Sequence, residues 1–128
     1  MEGYKAKVVG SWKELSVKEK IAFKETDAFM KLDEVVTPDE PLVINLVNYV
    51  TVNVENPKSE NPTYNQYIVV AEDGEIYVTS SDTFDSSMTD NLDEVDAAGE
   101  EIGDWLLKIY KRESKNFKGK YFLTCSII

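Results

Sequence analysis

The chain has 128 residues, of which 42% are hydrophobic and 11% aromatic, and its formal net charge is −10. This length corresponds to one ordinary domain, and so many core-forming residues exclude a disordered chain. The sequence contains no histidine and one cysteine, which excludes histidine-dependent nucleophiles and a disulfide framework. It also has no Gly-rich phosphate loop. We therefore expect a binding protein rather than an enzyme, with no cofactor and no metal.

The apolar runs are only a few residues long, which is too short for a membrane-spanning helix. The N-terminus lacks the cationic-then-apolar pattern of a signal peptide. We expect a cytoplasmic protein with no membrane partner. It should form a single domain over residues 1–128, with residues 1–16 as a loosely ordered start if they do not contain a first strand.

Charge is distributed unevenly along the chain. Residues 1–24 carry six lysines against three glutamates, and residues 108–128 carry six cations against one glutamate. Residues 25–107 carry 20 acidic residues and only two lysines. An acidic middle thus lies between two basic ends, a distribution that the net charge conceals.

The first forty residues fit more than one structure. Residues 4–12 are compatible with a strand or with an unordered start. We interpret residues 21–23 as a short strand and residues 27–34 as a short helix, although the apolar residues between 17 and 35 also recur at helical spacing.

Strand patterns dominate from residue 42 onward. In residues 42–56, Val50, Val52 and Val54 alternate with polar residues, as in a half-buried strand, and the period shifts at Asn48, which indicates a bulge. Two prolines and two asparagines in residues 56–63 predict a turn. Further strands are predicted over 64–71 and 75–80, around Asp73-Gly74, and over 105–112 and 120–128.

Residues 81–102 hold eight acidic residues and no base. Their apolar residues form one helical stripe of Phe84, Met88, Leu92 and Val95. Ser81 or Asp82 is a suitable N-cap, and Gly99 is expected to end the helix. The pattern predicts one amphipathic helix with a strongly acidic outer face.

Five strands with this acidic helix between the third and the fourth follow the order of the OB-fold barrel. We therefore predict a mainly β protein with an OB-like, five-stranded, partly open antiparallel barrel. The alternative is a generic α+β fold with one antiparallel sheet, because a helix packed on any such sheet produces similar patterns.

The C-terminal hairpin carries the strongest functional signal, because it interleaves cations with aromatic residues. Binding of single-stranded nucleic acid needs cations along the phosphates and aromatic faces on which bases stack. Tyr64 and Tyr67 lie three apart in a strand and so point to opposite faces; one is expected in the core and the other free to stack. The candidate nucleic-acid-binding residues are Lys58, Tyr64, Tyr67, Lys108, Tyr110, Lys111, Arg112, Lys115, Phe117, Lys118 and Lys120.

Structural interpretations compete with these assignments. The hairpin aromatics could belong to the core while the lysines keep a sheet edge soluble. The acidic helix is either a solvated face, a face that repels nucleic acid, or a mimic of phosphates that binds a basic partner. That face would contain Asp85, Asp90, Asp93, Glu94, Asp96, Glu100 and Glu101. Cys125 is expected to be buried and inert.

Three runs resemble those of a known family: Tyr-Val-Thr-Ser-Ser-Asp-Thr-Phe at 77–84, Lys-Arg-Glu-Ser-Lys-Asn-Phe-Lys-Gly-Lys at 111–120, and Phe-Leu-Thr-Cys-Ser-Ile at 122–127. They look like small single-stranded DNA-binding, OB-fold-like proteins of Gram-positive phages and mobile elements. The resemblance implies that Lys111, Arg112, Lys115 and Lys118 contact the strand.

The resulting hypothesis is a non-enzymatic protein that binds single-stranded DNA without sequence specificity. It would serve the replication or recombination of a phage or mobile element, with proteins of those processes as further partners. The oligomeric state stays open, with a homo-oligomer as one alternative. The second hypothesis is an acidic interaction protein or nucleic-acid mimic that acts on a basic partner.

Overall fold

The computed structural model describes residues 5–57 and 62–128, and in this part of the chain the sheet has seven strands rather than the predicted five. The strands are β1 (Lys5–Ser11), β2 (Met30–Lys31), β3 (Leu42–Glu55), β4 (Thr63–Ala71), β5 (Ile76–Thr79), β6 (Leu106–Glu113) and β7 (Tyr121–Ile127). The helices are α1 (Val17–Phe23), α2 (Leu32–Val35) and α3 (Asp82–Ala97), and short 3₁₀ turns cover Thr26–Ala28 and Ile102–Asp104.

The long strand β3 organises the sheet. One of its edges pairs with β4, while on the other edge its first residues pair with β6 and its last with β1, all antiparallel. The strand order is β2-β5-β4-β3-β6-β7, with β1 beside β3. Because β3 has different neighbours at its two ends, the sheet curls into an open half-barrel. The protein is therefore mainly β, as predicted.

The predicted irregularity at Asn48 is confirmed. The register of β3 against β4 shifts between Leu46 and Asn48. The Asn48 side chain stabilises this bulge, because its Oδ1 accepts from the backbone N–H groups of Lys13 (2.8 Å) and Tyr49 (2.9 Å) and its Nδ2 donates to Lys13 O (3.1 Å).

Helix α3 fills the concave side of the sheet. Its four predicted apolar residues are all buried and pack against residues from β3 to β7 such as Tyr49, Leu107 and Leu123. Ser81 caps the helix, since its Oγ accepts from Phe84 N–H at 3.1 Å. Gly99 follows the C-cap with a φ of 73°, the left-handed conformation that glycine adopts at no steric cost.

A second apolar cluster lies on the convex side of the sheet. Val50, Val52 and Ile68 point to this side and are covered by Leu15 and by Phe23 of α1. The sheet is thus covered on both faces around Tyr49–Val50 and Tyr67–Ile68, whereas further along β3 the buried Val52 and Val54 alternate with the half-buried Thr51 and Asn53, as predicted.

Two predictions for the first forty residues are wrong. Residues 21–23 are helical, because Ser16 and Glu19 form a capping box that starts α1: the Ser16 Oγ accepts from Glu19 N–H, and the Glu19 carboxylate accepts from Ser16 N–H. Residues 27–34 are not one helix but a 3₁₀ turn, the short strand β2 and α2. Of residues 1–16, the segment Lys5–Ser11 is a strand paired with β3.

Candidate nucleic-acid interface

The β6–β7 hairpin has two different faces. Leu107 and Ile109 of β6, with Leu123 and Cys125 of β7, point into the core beneath α3. Lys108, Tyr110 and Arg112 alternate with these core residues and so lie on the opposite, convex face. Thr124 of β7, which pairs with Tyr110 on this face, is buried, and its Oγ1 lies 2.7 Å from Ser87 Oγ of α3, so the acidic helix borders the β7 side of the face.

The convex face of the hairpin combines cations with aromatic rings. The Lys108 Nζ lies 5.2 Å from the centroid of the Tyr110 ring, a cation–π contact. Arg112 is exposed and stands opposite the half-buried Phe122 across the two strands. Val43 of β3, which pairs with Lys108, is exposed at the other end of this face.

The loop between β6 and β7 is held by its own backbone. Ser114 N–H donates to Lys120 O at 2.8 Å, and Lys120 N–H donates to Phe117 O at 3.1 Å. Gly119 has a φ of 82°, and its N–H donates to a Glu113 carboxylate oxygen at 3.2 Å. This turn leaves the Phe117 side chain 64% exposed. Three exposed lysines surround Phe117 in the sequence: Lys115, Lys118 and Lys120.

Lys111 lies apart from the other predicted cations. Along β6 its side chain lies on the same face as Leu107 and Ile109, and so it points to the concave side of the sheet. Its Nζ donates to the backbone oxygen of Asp33 at 2.8 Å. The structure therefore brings together Lys108, Tyr110 and Arg112 but places Lys111 on the other face.

Tyr67 does not offer a stacking surface, and this part of the prediction is corrected. Its side chain is only 3% exposed, and its ring stacks on Tyr49 with centroids 6.2 Å apart. Tyr64 points to the convex side and is half-buried at its margin. The two tyrosines thus divide as expected into one core residue and one that is partly accessible. Lys58 lies outside the described residues.

Two aspartates at the start of α3 bind tyrosines of the sheet. Tyr49 Oη donates to Asp85 at 2.8 Å, and Tyr67 Oη donates to Asp82 at 2.6 Å. Burial raises the pKa of both tyrosines far above 10, and each aspartate raises the pKa of its own partner further. Asp85 is therefore not part of the acidic outer face. That face keeps its other six exposed members: Asp90, Asp93, Glu94, Asp96, Glu100 and Glu101.

These tyrosine–aspartate pairs escaped the sequence analysis. The members of each pair are separated by 36 and 15 residues, and the acidic residues of the helix look alike in the sequence. The feature that could have indicated them is position, since Asp82 and Asp85 flank the buried Phe84 in the first turn of the helix.

A groove of about 580 Å³ opens between residues 24–33 and the ends of β4 and β5. Lys24, Lys31 and Asp33 line one wall, and Tyr64 and Gln66 line the other. Sequence reasoning missed this groove because its walls come from segments that are distant in the chain. The backbone oxygen of Asp33 also accepts from the Lys111 Nζ of β6, so this end of the groove lies next to the β6–β7 hairpin.

Cys125 is buried, as expected. Burial raises the pKa of its thiol to about 12, so the thiol is not a nucleophile at neutral pH. Asn91 of α3 donates to the Cys125 backbone oxygen at 3.1 Å. The helix thereby covers the outer edge of β7, which would otherwise be free to pair with another strand.

Within residues 5–57 and 62–128, no cluster of three or more carboxylate or thiol side chains is placed to hold a metal ion. The helices in these two ranges are too short or too polar to cross a membrane. No protein-family model matches the chain, and the searches of curated proteins and of solved structures also gave no match.

Proposed function

We propose that this chain is a non-enzymatic protein that binds single-stranded DNA through the β6–β7 hairpin. The observation that carries the proposal is the arrangement of Lys108, Tyr110 and Arg112 on one partly exposed face, next to a loop with exposed Phe117. Cations and ring faces on the same surface are what a single strand requires. No base-reading arrangement lies on the hairpin, so we propose binding without a defined recognition sequence.

The pairing of the strands supports an OB-like barrel. From β3 onward, β3 pairs with β4 and β6, β4 pairs with β5, β6 pairs with β7, and α3 lies between β5 and β6. In this interpretation β3 to β7 are the five barrel strands, and β1 and β2 are additions.

This interpretation favours the hairpin loop as the binding site. OB-folds bind ligands at the face of their second and third strands and at the loop between the fourth and fifth. Here the second and third strands are β4 and β5, and Ile68 and Val78 on their convex face are covered by α1 and its flanking residues. The loop at 114–120 remains uncovered.

The net charge of −10 is compatible with this role because binding depends on local potential. Surface charges are screened over roughly 8–10 Å at physiological salt, so the cations of the loop at residues 114–120 dominate the potential next to a strand bound there. With five cations on the hairpin that are not hydrogen-bonded to the rest of the described fold, we expect a shallow salt dependence, with a slope of log affinity against log salt of about −3.5 at most. The cations are Lys108, Arg112, Lys115, Lys118 and Lys120.

Fluorescence anisotropy of a labelled oligo-dT of about 30 nucleotides, several OB-fold sites long, tests the proposal. The variant Arg112→Ala/Lys115→Ala/Lys118→Ala should bind more weakly at each salt concentration and unfold at an unchanged temperature. The matched control, Lys5→Ala/Lys7→Ala/Lys13→Ala, removes the same charge elsewhere and should bind as the wild type does. Equal affinity of the two variants would refute the hairpin as the interface.

The same proposal includes a biological setting: a cytoplasmic protein in the replication or recombination of a phage or mobile element, with proteins of those processes as partners and self-association into a homo-oligomer.

A second candidate function is favoured by the six exposed acidic residues on and just beyond α3. Such a surface would bind a basic protein in place of nucleic acid. Absence of DNA binding at low salt, together with capture of a basic partner that is lost when Asp90, Asp93 and Glu94 are changed to lysine, would favour it.

A further inference from the structure

The groove beside Tyr64 contains an unsatisfied acceptor. The Oε1 atom of Gln66 is shielded from solvent and has no hydrogen-bond partner among the described residues. Buried polar atoms are almost always paired in native proteins, so an orphan requires an explanation. Gln66 is the only glutamine of the chain, and its side chain lines the groove.

The rest of the groove is also rich in acceptors. Its walls include carboxylates and hydroxyl oxygens, and one of these carboxylates, that of Asp33, accepts from Thr79 Oγ1 at 2.9 Å. Three acids balance against Lys24, Lys31 and the nearby Lys111, so the local charge is close to zero. The acids are Glu25, Asp27 and Asp33. A neutral ligand with hydrogen-bond donors therefore fits better than an isolated anion.

The groove also offers an aromatic surface and cations at its rim. Tyr64 is half-buried beside Gln66, which suits a flat ring that stacks on one side and hydrogen-bonds at its edge. Lys24 and Lys31 are exposed and long enough to reach a phosphate that is joined to such a ring through a sugar. The backbone oxygen of Asp33 accepts from Lys111, which lies near the loop end of β6, so the groove adjoins that end of the β6–β7 hairpin.

We propose that this groove binds one nucleobase, and that it prefers a base with an exocyclic amino group over thymine. The amino group of cytosine or adenine donates to Gln66 Oε1 after a rotation about the terminal side-chain torsion, which is soft. Thymine flanks its single ring N–H with two carbonyl oxygens, which would face the acceptors of the groove. The inference rests on the proposed function in so far as the base belongs to a bound strand.

Mononucleotides test the groove without the hairpin. Titration of the ¹⁵N-labelled protein with dCMP, dAMP or dTMP is followed by amide shifts. We expect dCMP and dAMP to shift the amides of Tyr64, Gln66 and Ser80, with an affinity about three- to tenfold higher than that of dTMP, the worth of one hydrogen bond. Gln66→Met keeps the length of the side chain but removes the acceptor, and should abolish the preference.

Asn65→Leu is the matched control, because it removes an amide from the other face of β4 and should leave the preference unchanged. Absence of shifts with all three nucleotides would overturn the inference, as would equal affinities in the wild type. Shifts of these amides by an arginine-containing peptide, but by no nucleotide, would identify the groove as a site for a basic protein instead. Shifts by dCMP without binding of either oligo-dT or oligo-dC would refute the proposed hairpin function and leave the groove as a nucleotide site.

Discussion

The Nζ of Lys111 donates to the backbone oxygen of Asp33 at 2.8 Å, across 78 residues of sequence. This bond joins β6 to the β2–α2 segment at the far end of the strand order. It bridges the opening of the half-barrel and places the candidate groove next to the candidate hairpin. The same bond engages the Lys111 ammonium group, which the sequence pattern had assigned to phosphate binding.

Lys111 and Arg112 should therefore differ in their effects. Lys111→Met is expected to lower the free energy of unfolding by about 1 kcal/mol, because it removes a charged hydrogen bond at the rim of the core. Arg112→Met should leave stability unchanged and weaken binding of oligo-dT. Chemical denaturation and anisotropy measure the two effects, and the reverse pattern would contradict the assigned faces of β6.

Phe117 should contribute to binding but not to folding. Its side chain is 64% exposed at the loop tip, so Phe117→Ala removes few packing contacts. Loss of one stacked base corresponds to about 1–3 kcal/mol of binding free energy. Ile128→Ala, at a side chain 57% exposed elsewhere, is the control and should have no effect on affinity. An unchanged affinity of Phe117→Ala would exclude stacking at this loop.

The hydrogen bond of Tyr49 to Asp85 should appear in the pH dependence of stability. The folded protein holds the phenol neutral, whereas the unfolded chain releases its proton near the ordinary pKa of 10.0. The contribution of this tyrosine to the free energy of unfolding is fully present below pH 10. Above pH 10 it falls by up to about 1.4 kcal/mol per pH unit. Tyr67, Tyr77 and Cys125 also have raised pKa values and add to the decline.

The variant Tyr49→Phe separates the contribution of Tyr49 to the pH dependence of stability from the contributions of the other groups with raised pKa values. At pH 7 the variant should be less stable by about 1 kcal/mol, through the lost hydrogen bond. Above pH 10 its stability should fall less steeply than that of the wild type, so the two curves converge. Urea denaturation from pH 7 to pH 11 measures this, and parallel curves would show that Tyr49 is not held neutral by the fold.

The capping box of α1 gives a local test of the corrected N-terminal structure. Ser16→Ala removes the acceptor of Glu19 N–H and should cost about 0.5–2 kcal/mol of stability. Ser86→Ala, at an exposed position inside α3, is the control and should be neutral or slightly stabilising because alanine favours helix interiors. A strand at residues 21–23 would make Ser16→Ala as neutral as the control.

Much of the fold could be predicted because its patterns are local. The alternation of Val50, Val52 and Val54 predicted β3 and the spacing of Phe84 and Met88 predicted α3, since each depends on the period of the backbone. Asp73-Gly74 predicted the hairpin through the turn conformation that glycine favours. Residues 17–35 were assigned less well. There Ser16 and Glu19 decide the helix, and a two-residue strand such as β2 has no period to detect.

The sequence by itself determined the composition of each surface: an acidic helix, a basic aromatic hairpin, and the lack of any histidine for catalysis. Only the tertiary structure decided which of these residues share a face. Strand pairing placed Lys111 and Arg112 on opposite sides of the sheet, and packing of α3 turned Asp82 and Asp85 toward two buried tyrosines. It also brought Lys24, Tyr64 and Gln66 around one groove. These relationships depend on contacts between residues far apart in the chain, whose register is fixed by the packing of the two cores and not by any local pattern.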